Sequence, residues 1–269
     1  MLRHIGLLMV RNEVDVLAEA LEAHSRFFDT IVAQDGSTDG GRELIAACPN
    51  VIKLFRDEDV LREGERWTDG HRNHAMQWIL SEFGCADVWV TLLHADEFWW
   101  DDPLEMAEQA DAGGATFVMW GEFRFFLHHE DRFTLDLTKP VTERVTWWGG
   151  PFFEDRQFKL ENHQLYFPGT DHCTIPRGPG QARRWKARIP RYRHYPYRSK
   201  AQCLAVWIDK VQSRYWQPDH AWLHSACFEP WLRALPMPKN SPLAAWDHVE
   251  KFAGTLPDPQ AFLPTWWEG

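Results

Sequence analysis

No apolar run in the chain approaches the ~20 residues a membrane-spanning helix needs. The opening MLRHIGLLMVRNE turns charged after a few apolar residues, so no secretory leader is expected. Paired cysteine motifs are missing as well. The five cysteines (Cys48, Cys85, Cys173, Cys203 and Cys227) are odd in number, widely spread and without CxxC spacing. That usage suits reduced thiols in a cytoplasm, packing as small hydrophobes. A basic excess is also absent: 39 Asp and Glu outweigh 29 Lys and Arg, for a net charge of −10. This argues against a general nucleic-acid binder. Internal repeats and low-complexity linkers are lacking too.

What remains is an ordinary globular composition, 44% hydrophobic and 25% charged over 269 residues. That length supports one large α/β domain or two small ones. Two features stand out. Arginines interleave with aromatics in RGPGQARRWKARIPRYRHYPYRS (177–199), which in an acidic chain points to a local anion such as a phosphate or diphosphate. Tryptophan is abundant, at 16 residues, mostly core material but also a source of flat faces for a ligand cleft.

The first hundred residues alternate between strand and helix patterns. HIGLLMV (4–10), TIVAQ (30–34), VIKLF (51–55) and DVWVTLL (87–93) are apolar runs of strand length. Between them, Val14, Leu17, Leu21 and Phe28 show helical spacing, DGSTDGG turns into a helix over 39–47, and TDGHRNHAMQWILSEFG reads as another helix. Asn12 is expected to cap the first helix. The alternation implies a parallel sheet with right-handed crossovers and a ligand beyond the carboxyl ends of its strands. Asn12/Glu13, Asp35/Asp39 and His94/Asp96/Glu97 all follow strands, so that edge reads as a site. Beyond residue 100, segments 116–129 and 142–160 suggest antiparallel strands. Helices are expected around AWLHSACF and PLAAWDHVEKF in the Trp/Pro-rich end.

VRNEVDVLAEAL, VAQDGSTDG and LLHADEFWW, in that order, resemble the family-2-like glycosyltransferases of the GT-A fold. The similarity is greatest to a bacterial branch with KNE, D-x-STDG and D-x-DEF motifs. It covers roughly residues 4–102, with echoes at FEDRQFKL and RHYPYRS. The resemblance implies an α/β, Rossmann-like, mostly parallel sheet with flanking helices and an irregular, partly antiparallel acceptor half. It implies one domain over 1–269, divided into a nucleotide-sugar half (1–102), an acceptor and catalytic half (103–214) and C-terminal elements (215–269).

Carried over residue by residue, the resemblance gives Asp35 the nucleobase and Glu13 the nucleoside pocket, with Asn12 and Asp39 beside them. Asp96 matches the last Asp of D-x-D, which holds a divalent cation on the donor diphosphate. The first Asp is His94 here, a departure that tilts the metal from Mg²⁺ toward Mn²⁺. Glu97 is either a support behind these groups or a solvated strand end. Arg72 stands, next to Asn73, where relatives carry a basic residue near the donor. His71, His74 and His94 form no i, i+4 pair among themselves, which argues against a helical zinc motif. His194 is expected to complete the metal shell, with His172 competing, and Arg198 to grip diphosphate.

For the base that takes the acceptor proton, FEDRQFKL offers Asp155 first and Glu154 second, the alternative for Asp155 being an ion pair with Arg156 or Lys159. Trp147, Trp148 and Phe153 are candidate acceptor walls. The expected activity is metal-dependent sugar transfer from a nucleoside-diphosphate sugar to an acceptor hydroxyl, with inversion. UDP-sugar is the first expectation, and dTDP- or GDP-sugar the alternatives. The acceptor is a glycan, a lipid-linked glycan or a small molecule, with no nucleic-acid partner. The competing readings are a catalytically inactive nucleotide- or carbohydrate-binding protein on the same scaffold, and a nucleotidyltransferase, which would carry a Gly-rich turn that VRNEVDV lacks. A cytoplasmic location is expected, with peripheral contact at the inner face of a membrane as the other option.

Overall fold

A computed structural model of the chain describes residues 2–60, 69–126, 136–161, 165–167, 176, 183–199, 201–202 and 249–263. The helix expected at 221–228, His172 and residues 242–248 lie outside these. Along the chain run β1 (Arg3–Val10), α1 (Val14–Ser25), β2 (Ile31–Asp35), α2 (Gly41–Ala47), β3 (Val51–Arg56), α3 (Asp57–Val60), α4 (Arg72–Phe83), β4 (Val88–His94) and β5 (Glu97–Trp99). They are followed by α5 (Pro103–Ala112), β6 (Phe117–Phe126), α6 (Val141–Arg144), β7 (Trp147–Lys159), β8 (Arg191–Tyr197) and β9 (Val249–Lys251).

β1 pairs in parallel with β2 and with β4, and β2 with β3. The strand order is β3-β2-β1-β4-β7-β6-β8-β5, with β9 added to β7. β7 is antiparallel to β4, placing Lys159 opposite Trp89, and β9 is antiparallel to β7. This is the expected α/β, Rossmann-like arrangement of the GT-A type. Two expectations are corrected. The sequence pattern places Val249–Lys251 in a helix, but it is a strand on Trp147–Gly149. The irregular stretch after residue 100 contains α5, which Asp102 caps by accepting from the amides of Leu104 and Glu105 ahead of Pro103.

Strand alternation sorts the core onto two faces. On one face Leu8, Ala33, Trp89 and Leu93 meet Leu17 and Leu21 of α1, Ile45 of α2 and Met106 of α5. On the other, Leu7, Val32, Val90, Leu92 and Phe158 meet Ala75, Met76 and Ile79 of α4. With helices on both sides, β4 is buried almost throughout, which is why VWVTLL reads as an unbroken apolar run.

The chain divides into two compact units: Met1–Gly121, Phe153–Tyr192 and Asp258–Gly269 form the first, Glu122–Phe152 and Arg193–Pro257 the second. The half expected over 1–102 falls wholly within the first unit. No helix among the described residues is long and apolar enough to cross a membrane.

Candidate active site

In the first unit, Asn12, Asp35, Asp57 and His94 stand at or just past the carboxyl ends of the four parallel strands. The loops after β1 and β2 are laced together. Asn12, in the left-handed region at φ 55°, donates its amide to Ser37 Oγ, and its side-chain oxygen accepts from the Thr38 amide at 2.8 Å. Asp39 accepts from the Val14 amide at 2.9 Å and from the Gly41 amide at 3.0 Å. The first helix is therefore capped from the neighbouring loop by Asp39. Asn12, the expected cap, braces that loop instead, its side-chain oxygen accepting from Thr38. Glu13 sits at the N-cap position, half-buried, without a side-chain cap bond.

Asp35 has no exposed surface. One oxygen accepts from the Ser37 amide and the other from Arg42 Nε, both at 3.0 Å. Asp57, just past β3, keeps some exposure, and its proton affinity is raised, chiefly by burial, against the pull of Arg11. Sequence reasoning passed over Asp57 and Arg42. Only the position of Asp57, directly after a parallel strand, could have signalled it.

At the end of β4, His94 Nδ1–H donates to Glu97 Oε1 at 3.0 Å, and its Nε2 accepts from Arg72 at 3.2 Å. A guanidinium only donates, so these two contacts together fix the proton on Nδ1. The His94 carbonyl accepts from His24 Nε2 at 3.0 Å, and burial lowers the His24 pKa to about 4. Glu97, with no exposed surface, also accepts from Arg156 at 2.6 Å, and Arg156 in turn donates to Tyr192 and pairs with Glu154. A continuous chain thus runs from Arg72 through His94, Glu97 and Arg156 to Glu154. Asp96 is half-buried in the turn between β4 and β5. Asn73 exchanges two hydrogen bonds with the Phe167 backbone, at 2.8 and 2.7 Å, which anchors the start of α4.

Their partners separate the two candidate bases. Glu154 keeps 28% side-chain exposure and pairs with Arg156 at 2.6 Å. Asp155 is almost fully buried and is held by Arg184 through Nε at 3.0 Å and Nη2 at 2.5 Å. Its ion pair is thus with Arg184, not with Arg156 or Lys159. Lys159 pairs with Asp111 at 2.5 Å. Phe153 packs against Met119 and Ile189.

The second unit holds the remaining expected residues. His194 Nδ1–H donates to the fully buried Glu122 at 2.6 Å, and Arg124 pairs with the same carboxylate. The His194 and Arg124 charges hold the Glu122 carboxyl far below the usual range, against its burial. Glu122 was missed, although a lone acid in the apolar strand FVMWGEFRFF is a legible signal. Arg198 has no exposed surface and donates to the Tyr195 carbonyl at 3.2 Å. Trp148 is 4% exposed and packs edge-on to Phe123 at 5.2 Å, a core position, whereas Trp147 is half-buried.

The basic stretch is largely neutralised from within. Arg188 and Arg191 share Asp101, Arg184 takes Asp155 and Arg183 takes Glu161. Among the described residues, no three or more His, Cys, Asp and Glu side chains converge into a preformed metal cage.

No curated protein sequence matches the chain at a significant level. Among solved structures, the chain is similar to mannosyl-3-phosphoglycerate synthase from Rubrobacter xylanophilus, at 20% identity over 45% of this chain and 40% of that one, with a TM-score of 0.34. It is also similar to glucosyl-3-phosphoglycerate synthase from Mycobacterium tuberculosis, at 16% identity over 49% of this chain and 47% of that one, with a TM-score of 0.30. The chain therefore spans less than half the length of either. A mycobacterial protein aligns over 97% of this chain and 88% of its own at 13% identity and a TM-score of 0.38. The model of glycosyl transferase family 2 matches residues 7–174, more than half of the sequence. With that match added to the parallel sheet and its polar edge, the chain belongs to glycosyl transferase family 2.

Proposed function

We propose that the chain moves a sugar from a nucleoside-diphosphate sugar to an acceptor hydroxyl, with the carboxyl edge of β1 to β4 as its donor site. The observation that carries this reading is Glu97, whose buried carboxylate ties His94 at the end of β4 to Arg156 on β7. Arg72, Glu97 and Arg156 are nearly or fully buried, while His94 and Asp96 retain exposure. The buried groups are supports, and His94 and Asp96 are what a donor would meet. Asp35 acts one step back, holding Arg42 and the loop, and Asn12 and Asp39 keep that loop in place. Glu13 lines the nucleoside side.

Asp96 would hold a divalent cation, Mn²⁺ or Mg²⁺, and His94 would join it through Nε2 on releasing the Arg72 guanidinium. Two protein ligands suffice for a cation that takes its other ligands from diphosphate and water. A carboxylate on Nδ1, as Glu97 provides, is the partner a metal-bound imidazole uses. When bound, such a cation supplies positive charge to the departing diphosphate.

Glu154 is the base in this reading, because it keeps some exposure and joins Glu97 through Arg156, whereas Asp155 is sealed against Arg184. It takes the acceptor hydroxyl proton as the oxygen attacks the anomeric carbon. The bond from that carbon to the diphosphate oxygen breaks with its electron pair, and attack from the opposite side inverts the centre.

Incubating the protein with UDP-, dTDP- and GDP-sugars, with and without Mn²⁺, and measuring release of nucleoside diphosphate tests the proposal. Wild type should consume one donor, and Asp96→Ala and Glu154→Gln should not, with Glu154→Gln still binding the nucleotide. Nucleotide binding with no donor consumed in any combination would favour the non-catalytic binding protein.

A further inference from the structure

We infer that Asp57 reads the nucleobase of the donor by accepting its ring N–H, and so selects uracil, thymine or guanine over cytosine and adenine. This rests on the donor site proposed above and adds the residue that sets its base preference. The carboxylate expected for that task, Asp35, has no exposed surface and spends both oxygens on Ser37 and Arg42. With no exposed surface, Asp35 cannot meet a base without opening its own loop.

Asp57 is placed for the task. It directly follows β3, on the edge where β1, β2 and β4 also end. It remains half-buried rather than sealed. Its carboxylate lies over Gly36, where a Cβ would overlap its Oδ2, so the missing side chain at Gly36 makes the seat. Arg11, Gln34, His71 and Asp35 surround it. Burial, the largest influence, and Asp35 oppose its charged form, while Arg11, the Gln34 side chain and His71 favour it.

The chemistry of the choice is simple. An ionised carboxylate only accepts hydrogen bonds. Uracil and thymine offer N3–H, and guanine offers N1–H. Cytosine N3 and adenine N1 present lone pairs at the same edge, which would set acceptor against acceptor. A partly desolvated site built to accept an N–H rejects a partner that lacks it more strongly than an apolar pocket can.

The test measures dissociation constants of UDP, GDP, CDP and ADP with Mn²⁺, together with N3-methyl-UDP and N1-methyl-GDP, whose ring N–H is blocked. Wild type should bind UDP or GDP about ten- to a hundredfold tighter than its methylated form and than CDP or ADP. Asp57→Ala should bind the methylated and unmethylated forms alike. Gly36→Ala, which keeps the acid but pushes its carboxylate aside, should narrow the same ratio and covers the case where Asp57→Ala folds poorly. An Asp57→Ala protein that folds and keeps the wild-type ratio overturns the inference while leaving the donor site standing, as does a wild type that prefers CDP or ADP. A wild type that binds none of the nucleotides takes down the donor reading and this inference together.

Discussion

Glu97 accepts the Nδ1 proton of His94 at 3.0 Å from a position with no solvent exposure of its own. The same oxygen receives Arg156 at 2.6 Å. One buried carboxylate therefore sets the orientation of a half-exposed imidazole and neutralises a buried guanidinium. Removing it should do two separable things.

Glu97→Gln leaves Arg156 with only the partly exposed Glu154 as counter-charge, and breaking a buried pair from one side costs up to about 3–5 kcal/mol. Urea unfolding should show that loss. In the surviving folded protein, Mn²⁺ affinity should fall about tenfold or more as His94 loses its partner. Unchanged stability would mean that Arg156 finds another anion.

The two acids of FEDRQFKL should behave oppositely. Glu154→Gln should lower kcat by about 10²–10⁴-fold, the usual range for a lost general base, and should cost less stability than Glu97→Gln because Glu97 still neutralises Arg156. Asp155→Asn should cost about 1–3 kcal/mol of stability by weakening the Arg184 pair, with a smaller effect on kcat. Measuring kcat and unfolding on both variants decides the assignment, and the reverse pattern would restore Asp155 as the base.

Asp39 caps a helix that it does not adjoin in sequence. Asp39→Ala should cost about 1–2 kcal/mol in denaturant unfolding, the value of a lost N-cap. It should also weaken nucleotide binding, because the same side chain shapes the Gly41 turn. Asp39→Asn, which keeps an oxygen acceptor, should recover much of both.

Acid should destabilise the protein through His4. Burial lowers its pKa from 6.5 to about 3, so the unfolded chain takes up a proton that the folded one refuses. The stability His4 contributes is complete above pH 6.5 and is lost as the pH falls from there toward 3. At pH 5 the loss should be about 1–2 kcal/mol. His4→Gln removes the titration, so its stability curve between pH 7 and 5 should be flatter than that of wild type.

The order of strands and helices over the first hundred residues was legible from the sequence. Runs such as VWVTLL and the spacing of Leu17 and Leu21 depend on local period, and period survives without a partner. The polar edge was legible for the same reason, since a residue that ends a parallel strand ends on the ligand side wherever the strand goes. Other features became visible only in three dimensions. Asp35 and Asp57 are both acids at strand ends, and only packing shows which is sealed by Arg42 and which remains open. Glu154 and Asp155 are neighbours of similar chemistry, and only the folded contacts show which one joins Glu97 through Arg156 and which is sealed by Arg184. Residue type and spacing determine where charge can gather. Which of those charges is spent inside the fold depends on contacts such as Arg184 with Asp155, made between residues far apart in the chain, and only the tertiary structure decides them.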